Sequence, residues 1–359
     1  MKIFQLILSE IPSADIRYAN ELYNGIKIYF PEVETKRYII NQKNILTQDI
    51  INEINTYEYT FIHGLNNNQD LYIQLYKSIY NKKIVFITNQ NYKKFLSSIN
   101  QEYIHFLLSS CYKIVFNKNI ENLYNSINKL LEPYDLSHKF VQLQYIYNPD
   151  YTVMDIPKHK EIIQISNKGL DSKYDLFINL FQHKENYLDS FIWKIYGVEK
   201  NIQTLSIDKL FIDKETNTIS DLTNLNTNTI SQTKINIYPV ITNNQTKDIL
   251  LNSYFGCCFD NYQCINYSIL DIIYSGTIPI FNIKYAKKIK INDKQSIYDI
   301  LDGIYINDNT LINTEIITLI NKYINSPNTY KSIVQKNIKI CDKLFNPKQN
   351  IDQLLKNIS

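Results

Sequence analysis

One carboxylate stands inside an otherwise apolar stretch of the sequence, in the run from Ile269 to Phe281. The pattern predicts a helix that carries Asp271 on its inward side, ends at Gly276 and continues through Thr277 into a short buried strand. A buried carboxylate is costly unless it has a partner. Asp271 therefore suits a pair of neighbouring hydroxyl groups such as those of a ribose, although a capping or solvated aspartate would give the same pattern.

Two lysines lie five residues apart, Lys168 and Lys173, where a predicted strand gives way to a helix. Two ammonium groups beside a helix N-terminus can bind an anionic group, because the helix end adds to their positive charge. The same spacing would also arise from two solvated lysines, so both interpretations stay open.

Polar residues follow several predicted strands. His63 ends one strand, Asn89 follows the next, and Asn117 follows another. Because ligands of parallel sheets collect beyond the carboxyl ends of the strands, these side chains are candidates for contact with a substrate. A lone histidine at a strand end can equally be a structural hydrogen-bonding residue.

The first half of the chain alternates short apolar strands with helical segments. Continuous apolar strands of this kind predict a parallel sheet covered on both faces. A helix from Asp15 to Asn24 is expected to end at Gly25. The predicted strands are Lys2–Leu8, Ile26–Phe30, Tyr59–Ile62, Lys83–Ile87, Lys113–Phe116 and Tyr145–Tyr147.

A second unit is predicted to begin after Asp150, with an exposed irregular insert over Asp208–Asn228 and a closing helix after Pro327. Its predicted strands are Glu161–Ile165, Asn201–Ser206, Ile235–Val240, Thr277–Phe281 and Ile304–Ile306. Its predicted helices are Ser172–Gln182, Tyr187–Ile195 and Asn266–Tyr274.

Length and composition agree with two cores, because the chain has 359 residues of which 44% are hydrophobic. We predict an α/β protein with two Rossmann-like, doubly wound domains that face a central cleft. These domains are residues 1–150 and residues 151–330. Residues 331–359 are predicted to form a C-terminal helix that packs back on the first domain.

The net charge and the cysteine content indicate which partners and which cellular compartment are compatible with the sequence. The net charge of +3 permits a polyanionic partner without requiring one. The five cysteines show no zinc-like spacing, which favours a reduced, cytoplasmic protein. No apolar run reaches the roughly 18 residues of a membrane-spanning helix, so we expect no membrane partner, and we expect a monomer.

The segment Asn266–Phe281 resembles the phage DNA α-glucosyltransferases, with further support from Lys168–Lys173 and weaker support from Ser253–Gly256. The resemblance implies a GT-B architecture, in which residues 1–150 would bind the acceptor and residues 151–330 would bind a nucleotide sugar, and a retaining, metal-independent transfer of glucose or a related sugar. The absence of an Asp-x-Asp motif argues against the metal-dependent GT-A architecture. The implied donor is a UDP-sugar, first of all UDP-glucose. The implied acceptor is 5-hydroxymethylcytosine or another hydroxymethylated pyrimidine in double-stranded DNA. A viral protein of this kind would act in the host cytoplasm.

The resemblance also assigns roles to residues. Asp271 would hold the ribose hydroxyls of UDP, and the backbone at the Gly276 corner would touch the sugar. Lys168 and Lys173 would hold the diphosphate, because the family has an arginine and a lysine there with the same spacing. The residues assigned to the donor are Lys168, Lys173, Asp271, Phe255, Gly256, Gly276, Thr277 and Ser13. The residues assigned to catalysis are Asn266, Asn89 and His63.

Several positions depart from the family pattern. Asn266 stands where the family has a glutamate near the donor sugar, and an asparagine can hydrogen-bond a hydroxyl but cannot hold charge. Asn89 and Gln90 stand where the family has a His-Asp pair, so the departing phosphate oxygen would have to take the acceptor proton. Two other functions stay open. One is a GT-B transferase acting on protein, lipid or polysaccharide, and the other is a degenerate relic that binds nucleotide sugars or DNA.

Three lysine clusters are candidates for contact with the DNA acceptor. They could follow a phosphate backbone while neighbouring tyrosines stack on a displaced base. Solvated lysines would look the same in sequence. The clusters are Lys82–Lys83, Lys93–Lys94 with Tyr92, and Lys284, Lys287, Lys288 and Lys290 with Tyr285.

Overall fold

The computed structural model describes two compact units. Unit 1 contains Met1–Asn148 and Leu344–Ser359, and unit 2 contains Pro149–Lys343. The described residues are 1–8, 14–40, 46–63, 69–87, 106, 109–117, 137–148, 158–165, 191–196, 210–213, 218–221, 235–238, 243–259, 265–289, 291, 295–307 and 314–359.

Unit 1 contains a 6-stranded sheet in the order β2-β1-β3-β4-β5-β6, and each neighbouring pair is parallel. The central strands are buried on both faces, which explains their continuous apolar sequences. The strands are β1 (Lys2–Leu8), β2 (Glu34–Ile40), β3 (Tyr59–His63), β4 (Lys82–Ile87), β5 (Lys113–Asn117) and β6 (Phe140–Leu143).

Four described helices belong to unit 1. They are α1 (Ala14–Tyr29), α2 (Gln48–Ile54), α3 (Gln69–Ser78) and, from the other end of the chain, a helix at Pro347–Ile358 that is numbered α10 below. Helix α1 buries Tyr18, Leu22 and Ile26 at intervals of four residues, which is the spacing of one helical face.

The prediction that a helix ends at Gly25 and a strand follows at Ile26–Phe30 is wrong. Helix α1 continues through Gly25 to Tyr29. A Cβ atom at Gly25 would lie 2.5 Å from Ile351 Cδ1, so the glycine allows α10 to approach α1 closely and does not end the helix.

The edges of this sheet also differ from the prediction. Tyr145–Tyr147 is buried but forms no strand, and the preceding segment Phe140–Leu143 is the edge strand β6. The other edge strand, β2, was not expected, because its sequence Glu-Thr-Lys-Arg-Tyr-Ile-Ile begins with polar residues that an exposed edge tolerates.

Unit 2 contains an 8-stranded sheet in the order β14-β13-β12-β7-β8-β11-β10-β9. Its strands run parallel except at the end, where β10 is antiparallel to both β9 and β11. The strands are β7 (His159–Ile165), β8 (Ile192–Tyr196), β9 (Leu210–Asp213), β10 (Thr218–Asp221), β11 (Ile235–Tyr238), β12 (Ser253–Cys258), β13 (Ile278–Asn282) and β14 (Ile304–Ile306).

The described helices of unit 2 lie mostly after β11. They are α4 (Asn243–Leu251), α5 (Tyr267–Tyr274), α6 (Ile283–Ala286), α7 (Ile297–Ile300), α8 (Thr314–Asn325) and α9 (Pro327–Leu344). Within the described part of the chain, no helix is both long and apolar enough to cross a membrane.

Two predictions for unit 2 are wrong. The end of the predicted helix Tyr187–Ile195 is the strand β8, because Ile192, Trp193 and Ile195 extend the parallel sheet beside β7. The predicted irregular insert contains the antiparallel pair β9 and β10. The strand at Ile304–Ile306 and the helix at Asn266–Tyr274 are confirmed as β14 and α5. The predicted elements Asn201–Ser206 and Ser172–Gln182 lie outside the described residues.

The predicted single closing helix is two helices. Helix α9 ends at Leu344, and α10 starts again at Pro347 with Asn346 as its N-cap. Proline is well tolerated at the first position of a helix but poorly in its interior, which explains the break.

Candidate functional site

Helix α5 is the element that carries the predicted ribose-binding acid. The Asn266 side chain caps its start by accepting a hydrogen bond from Ile269 N at 3.0 Å. At its other end, Gly276 adopts a φ of 70°. Gly276 N donates to Ile273 O and Thr277 N donates to Ile272 O, which together form a Schellman cap.

The direction of α5 decides which edge of the sheet each residue faces. Parallel strands end at one edge, here called the carboxyl edge, and begin at the opposite amino edge. Helix α5 starts after β12 ends and stops before β13 begins, so Asn266 lies at the carboxyl edge and Gly276 and Thr277 lie at the amino edge. Ligands of such sheets bind at the carboxyl edge. The structure therefore does not bring Gly276 and Thr277 together with Asn266.

The Gly276–Thr277 corner is fully engaged in internal hydrogen bonds. Thr277 Oγ1 donates to Leu250 O at 2.7 Å, and its other potential partner is Ser253 O at 3.1 Å. Tyr330 donates its hydroxyl to Gly276 O. These contacts give the corner a structural role, and contact of its backbone with a sugar stays a prediction.

A partly buried lysine strengthens the same corner. Lys158 Nζ donates to Ser275 O at 2.7 Å and lies 3.4 Å from Leu250 O, so it joins the C-terminal ends of α5 and α4. Burial lowers the pKa of Lys158 to about 7, whereas the two helix ends favour its charged form. Lys158 thus fixes the amino edge and leaves the carboxyl edge for ligands.

Asp271 is 1% exposed and lies in the second turn of α5. Helical side chains lean toward the N-terminus of their helix, so its carboxylate leans toward the carboxyl edge of the sheet. This direction matches the predicted ribose role. The role itself stays a prediction.

Asn266 has a hydrogen-bond donor that the fold does not use. Its Oδ1 atom caps α5, while its Nδ2 atom is buried and has no partner. A buried donor without a partner costs about 1–3 kcal/mol. A ligand hydroxyl at this edge would remove that cost.

Phe255 and Gly256 have packing roles in β12. Phe255 is buried against Phe191 and Tyr254. A Cβ atom at Gly256 would lie 2.8 Å from Ile272 Cγ1, so the glycine lets α5 pack closely on the sheet. Contact of these two residues with a nucleotide stays a prediction.

His63 ends β3 in unit 1 and is 0% exposed. Its ring stacks on Phe86 with 4.3 Å between centroids, and neither ring nitrogen has a hydrogen-bond partner. Burial lowers the pKa of His63 to about 3, so the ring is neutral at ordinary pH. This placement gives His63 no access to solvent, and a catalytic role for it stays a prediction.

Comparison with solved structures identifies the architecture. An α-glucosyltransferase in complex with UDP-glucose and DNA containing an abasic site has a TM-score of 0.74 at 12% identity, over 100% of this chain and 99% of that chain. The chain has the GT-B fold. An α-glucosyltransferase in complex with UDP and a 13-mer DNA containing a HMU base gives a TM-score of 0.73 at 12% identity, with the same coverage. A DNA-modifying β-glucosyltransferase gives 0.55 at 12% identity, again over 100% and 99% of the two chains.

No family model and no curated protein matches the chain. The structural similarity confirms the predicted GT-B architecture. At 12% identity, this similarity shows the fold alone. Asp271 and Asn266 both belong to the helix after β12 in the second unit of this GT-B chain.

Four predicted site residues lie outside the described part of the chain. Lys168 follows the end of β7 at Ile165, and Asn89 follows the end of β4 at Ile87. The four residues are Ser13, Asn89, Lys168 and Lys173.

One polar residue near the carboxyl edge was missed in the sequence. Gln164 precedes the end of β7, is 1% exposed, and has no hydrogen-bond partner for either amide atom. The signal was available, because a glutamine inside the apolar strand Ile-Ile-Gln-Ile is unusual. Within the described residues, no group of three or more His, Cys, Asp or Glu side chains could hold a metal ion.

Proposed function

We propose that this protein is a retaining, metal-independent glycosyltransferase that moves glucose from UDP-glucose to a hydroxymethylated pyrimidine in DNA. The observation that carries the proposal is the likeness over the whole chain to α-glucosyltransferases whose structures contain UDP-glucose or UDP together with DNA. The motif at Asn266–Phe281 supports it independently, because this motif resembles the phage DNA α-glucosyltransferases.

The donor is held by the second unit. Asp271, which is buried, binds the vicinal hydroxyls of the ribose, which supply two hydrogen-bond donors to one carboxylate. Lys168 and Lys173 bind the diphosphate, and their charges stabilise the leaving UDP. The Asn266 Nδ2 donor, which has no partner in the protein, binds a hydroxyl of the sugar.

The transfer needs no basic side chain. The bond between the sugar C1 and the phosphate oxygen breaks, and the acceptor hydroxyl forms its bond to C1 on the same face. The acceptor proton passes to the departing phosphate oxygen. This route is compatible with an asparagine and a glutamine at positions 89 and 90, neither of which can act as a base.

The proposal predicts that UDP raises the melting temperature of the protein and that Asp271→Asn removes this shift. Asparagine keeps the size of the side chain but loses the charge that accepts the ribose hydroxyls. The matched control is Asp352→Asn, an exposed aspartate on α10, which should leave the shift unchanged. A cooperative melt of Asp271→Asn without ligand shows that the variant is folded.

Transfer itself is measured by mass spectrometry of duplex DNA that contains 5-hydroxymethylcytosine, with a cytosine duplex as control. We expect one added hexose per modified base and stoichiometric UDP. Release of UDP only with a protein, lipid or polysaccharide acceptor would instead show the alternative transferase. Binding of UDP-sugar without any transfer would show the relic.

A further inference from the structure

A short basic helix stands at the carboxyl edge of the unit 2 sheet. Helix α6 begins where β13 ends, and the fully buried Asn282 caps it by accepting a hydrogen bond from Lys284 N at 3.0 Å. Tyr285 and Ala286 anchor the helix in the core. Tyr285 is only 6% exposed, and its stacking on a base stays a prediction.

Three of the four lysines of this segment are described, and they lie on one side. Lys284 belongs to α6, Lys287 is its C-cap and Lys288 follows directly; all three are exposed, and their spacing of three and four residues over this turn brings them close together. We call these three residues the α6 lysine cluster. Like charges at this spacing repel one another. Within the described residues none of the three forms a salt bridge that would neutralise this repulsion.

One cation of the cluster is held in place by aromatic rings. Lys287 Nζ lies 4.8 Å from the centroid of the Tyr298 ring, which is 37% exposed. Tyr298 packs edge-on against Tyr305, whose hydroxyl donates to Leu301 O at 2.7 Å. A cation supported in this way loses less conformational freedom when it binds an anion than a freely moving lysine would.

The α6 lysine cluster lies at the carboxyl edge of its sheet, whereas the predicted cluster that contains Lys82 lies at the amino edge of the other sheet. Strand β13 is the neighbour of β12, so the α6 lysine cluster shares the carboxyl edge with the start of α5 and Asn266. Lys82, by contrast, begins β4 at the amino edge of the unit 1 sheet and lies over the rings of Tyr59 and Tyr112.

We propose that the α6 lysine cluster binds the phosphate backbone of the duplex DNA that carries the acceptor base. The proposal rests on the proposed function, because it names the contact of that same substrate. Three properties of the cluster fit a polyanion. No salt bridge within the described residues neutralises its charge, one of its cations is held over an aromatic ring, and it lies at the carboxyl edge, where ligands bind. Exposed Tyr298 adds a hydroxyl that can donate to a phosphate oxygen.

The test is the salt dependence of duplex binding by the whole chain. The variant carries Lys284→Gln, Lys287→Gln and Lys288→Gln. The control carries Lys77→Gln, Lys82→Gln and Lys113→Gln, which remove the same charge from the amino edge of unit 1. Each lost phosphate contact lowers the slope of log affinity against log salt by about 0.9. We expect the slope to fall by about 2 to 3 in the variant and by less than about 1 in the control.

The UDP-induced melting shift is measured on the same samples and should be equal in all three proteins. A variant that binds duplex with the wild-type slope would overturn the proposal. A wild-type protein that shows no UDP shift, or that binds no duplex at low salt, would instead count against the proposed function. The two failures are therefore distinguishable.

Discussion

The sequence predicts the surroundings of some residues of the candidate site but not of others. The burial of Asp271 follows from its apolar neighbours, and the structure agrees. The unpaired amide of Asn266 does not follow, because the sequence cannot show which of its two polar atoms the helix cap uses. The isolation of His63 is equally hidden, since it depends on Tyr18 and Phe86, which belong to distant segments.

At the same scale, His63 predicts a sensitivity to acid. Its pKa is about 3 in the folded protein and ordinarily 6.5, so below about pH 6.5 the unfolded chain binds a proton that the folded chain excludes. The free energy of unfolding should therefore fall by up to about 1.4 kcal/mol for each pH unit between 6 and 4. His63→Phe should flatten this dependence, as measured by urea unfolding at several pH values.

The matched control for this experiment is His159→Phe, because His159 is exposed at the start of β7. Its removal should leave the pH profile unchanged. If His63→Phe shows the same loss of stability in acid as the wild-type protein, then the histidine is already charged in the folded state and the argument fails.

At the scale of elements, close packing of helices depends on residues that have no side chain. Gly25 of α1 lies against Ile351 of α10. The sequence predicted that this glycine ends a helix, whereas in the structure it lets two helices approach each other. Gly256 serves the same purpose between β12 and α5. A glycine is thus ambiguous in sequence, because conformational freedom and close approach both select it.

The Gly25 contact can be measured. Gly25→Ala should destabilise unit 1 by about 1–3 kcal/mol, although alanine is normally the better helix former, because the new Cβ overlaps Ile351 Cδ1. Ile351→Val removes that methyl group and should cost less in the Gly25→Ala background than in the wild-type protein. Thermal unfolding of the wild-type protein, the two single variants and the double variant gives the coupling energy between the two positions. Equal costs in both backgrounds would rule out the overlap.

The elements that were predictable share one property. Strands buried on both faces, such as β4 and β13, have continuous apolar sequences that only one structure explains. The edge strand β2 begins with polar residues, and it was missed for that reason. Helix α5 was predictable because a polar cap and a glycine bound an apolar run.

At the scale of the whole molecule, unit 1 is built from both ends of the described chain. Helix α10 buries Ile351, Leu354, Leu355 and Ile358 in unit 1, and Asn350 Nδ2 donates to Tyr145 O at 3.2 Å. The GT-B architecture and the division near residue 150 followed from motifs and length. The return of the chain to unit 1 was predicted for residues 331–359, whereas the structure assigns only the part from Leu344 onward to unit 1.

Removal of residues 346–359 should therefore damage one unit selectively. Truncation exposes the apolar surface of unit 1 that α10 covers, so unit 1 should lose protection in hydrogen exchange, whereas unit 2 should keep its UDP-dependent protection. The control is Lys356→Ala on the exposed side of α10. Retention of full protection in β1 and β3 after truncation would show that α10 does not support that sheet.

The discontinuity of unit 1 also affects how the protein is made. Translation delivers residues in order, so the strands of unit 1 leave the ribosome first and wait through the synthesis of all of unit 2 before α10 arrives to cover them. During that interval an uncovered apolar face is available to chaperones and to aggregation. Synthesis that stops anywhere before residue 347 leaves unit 1 without this helix, so incomplete chains should be recognised by quality-control proteases even when unit 2 has folded.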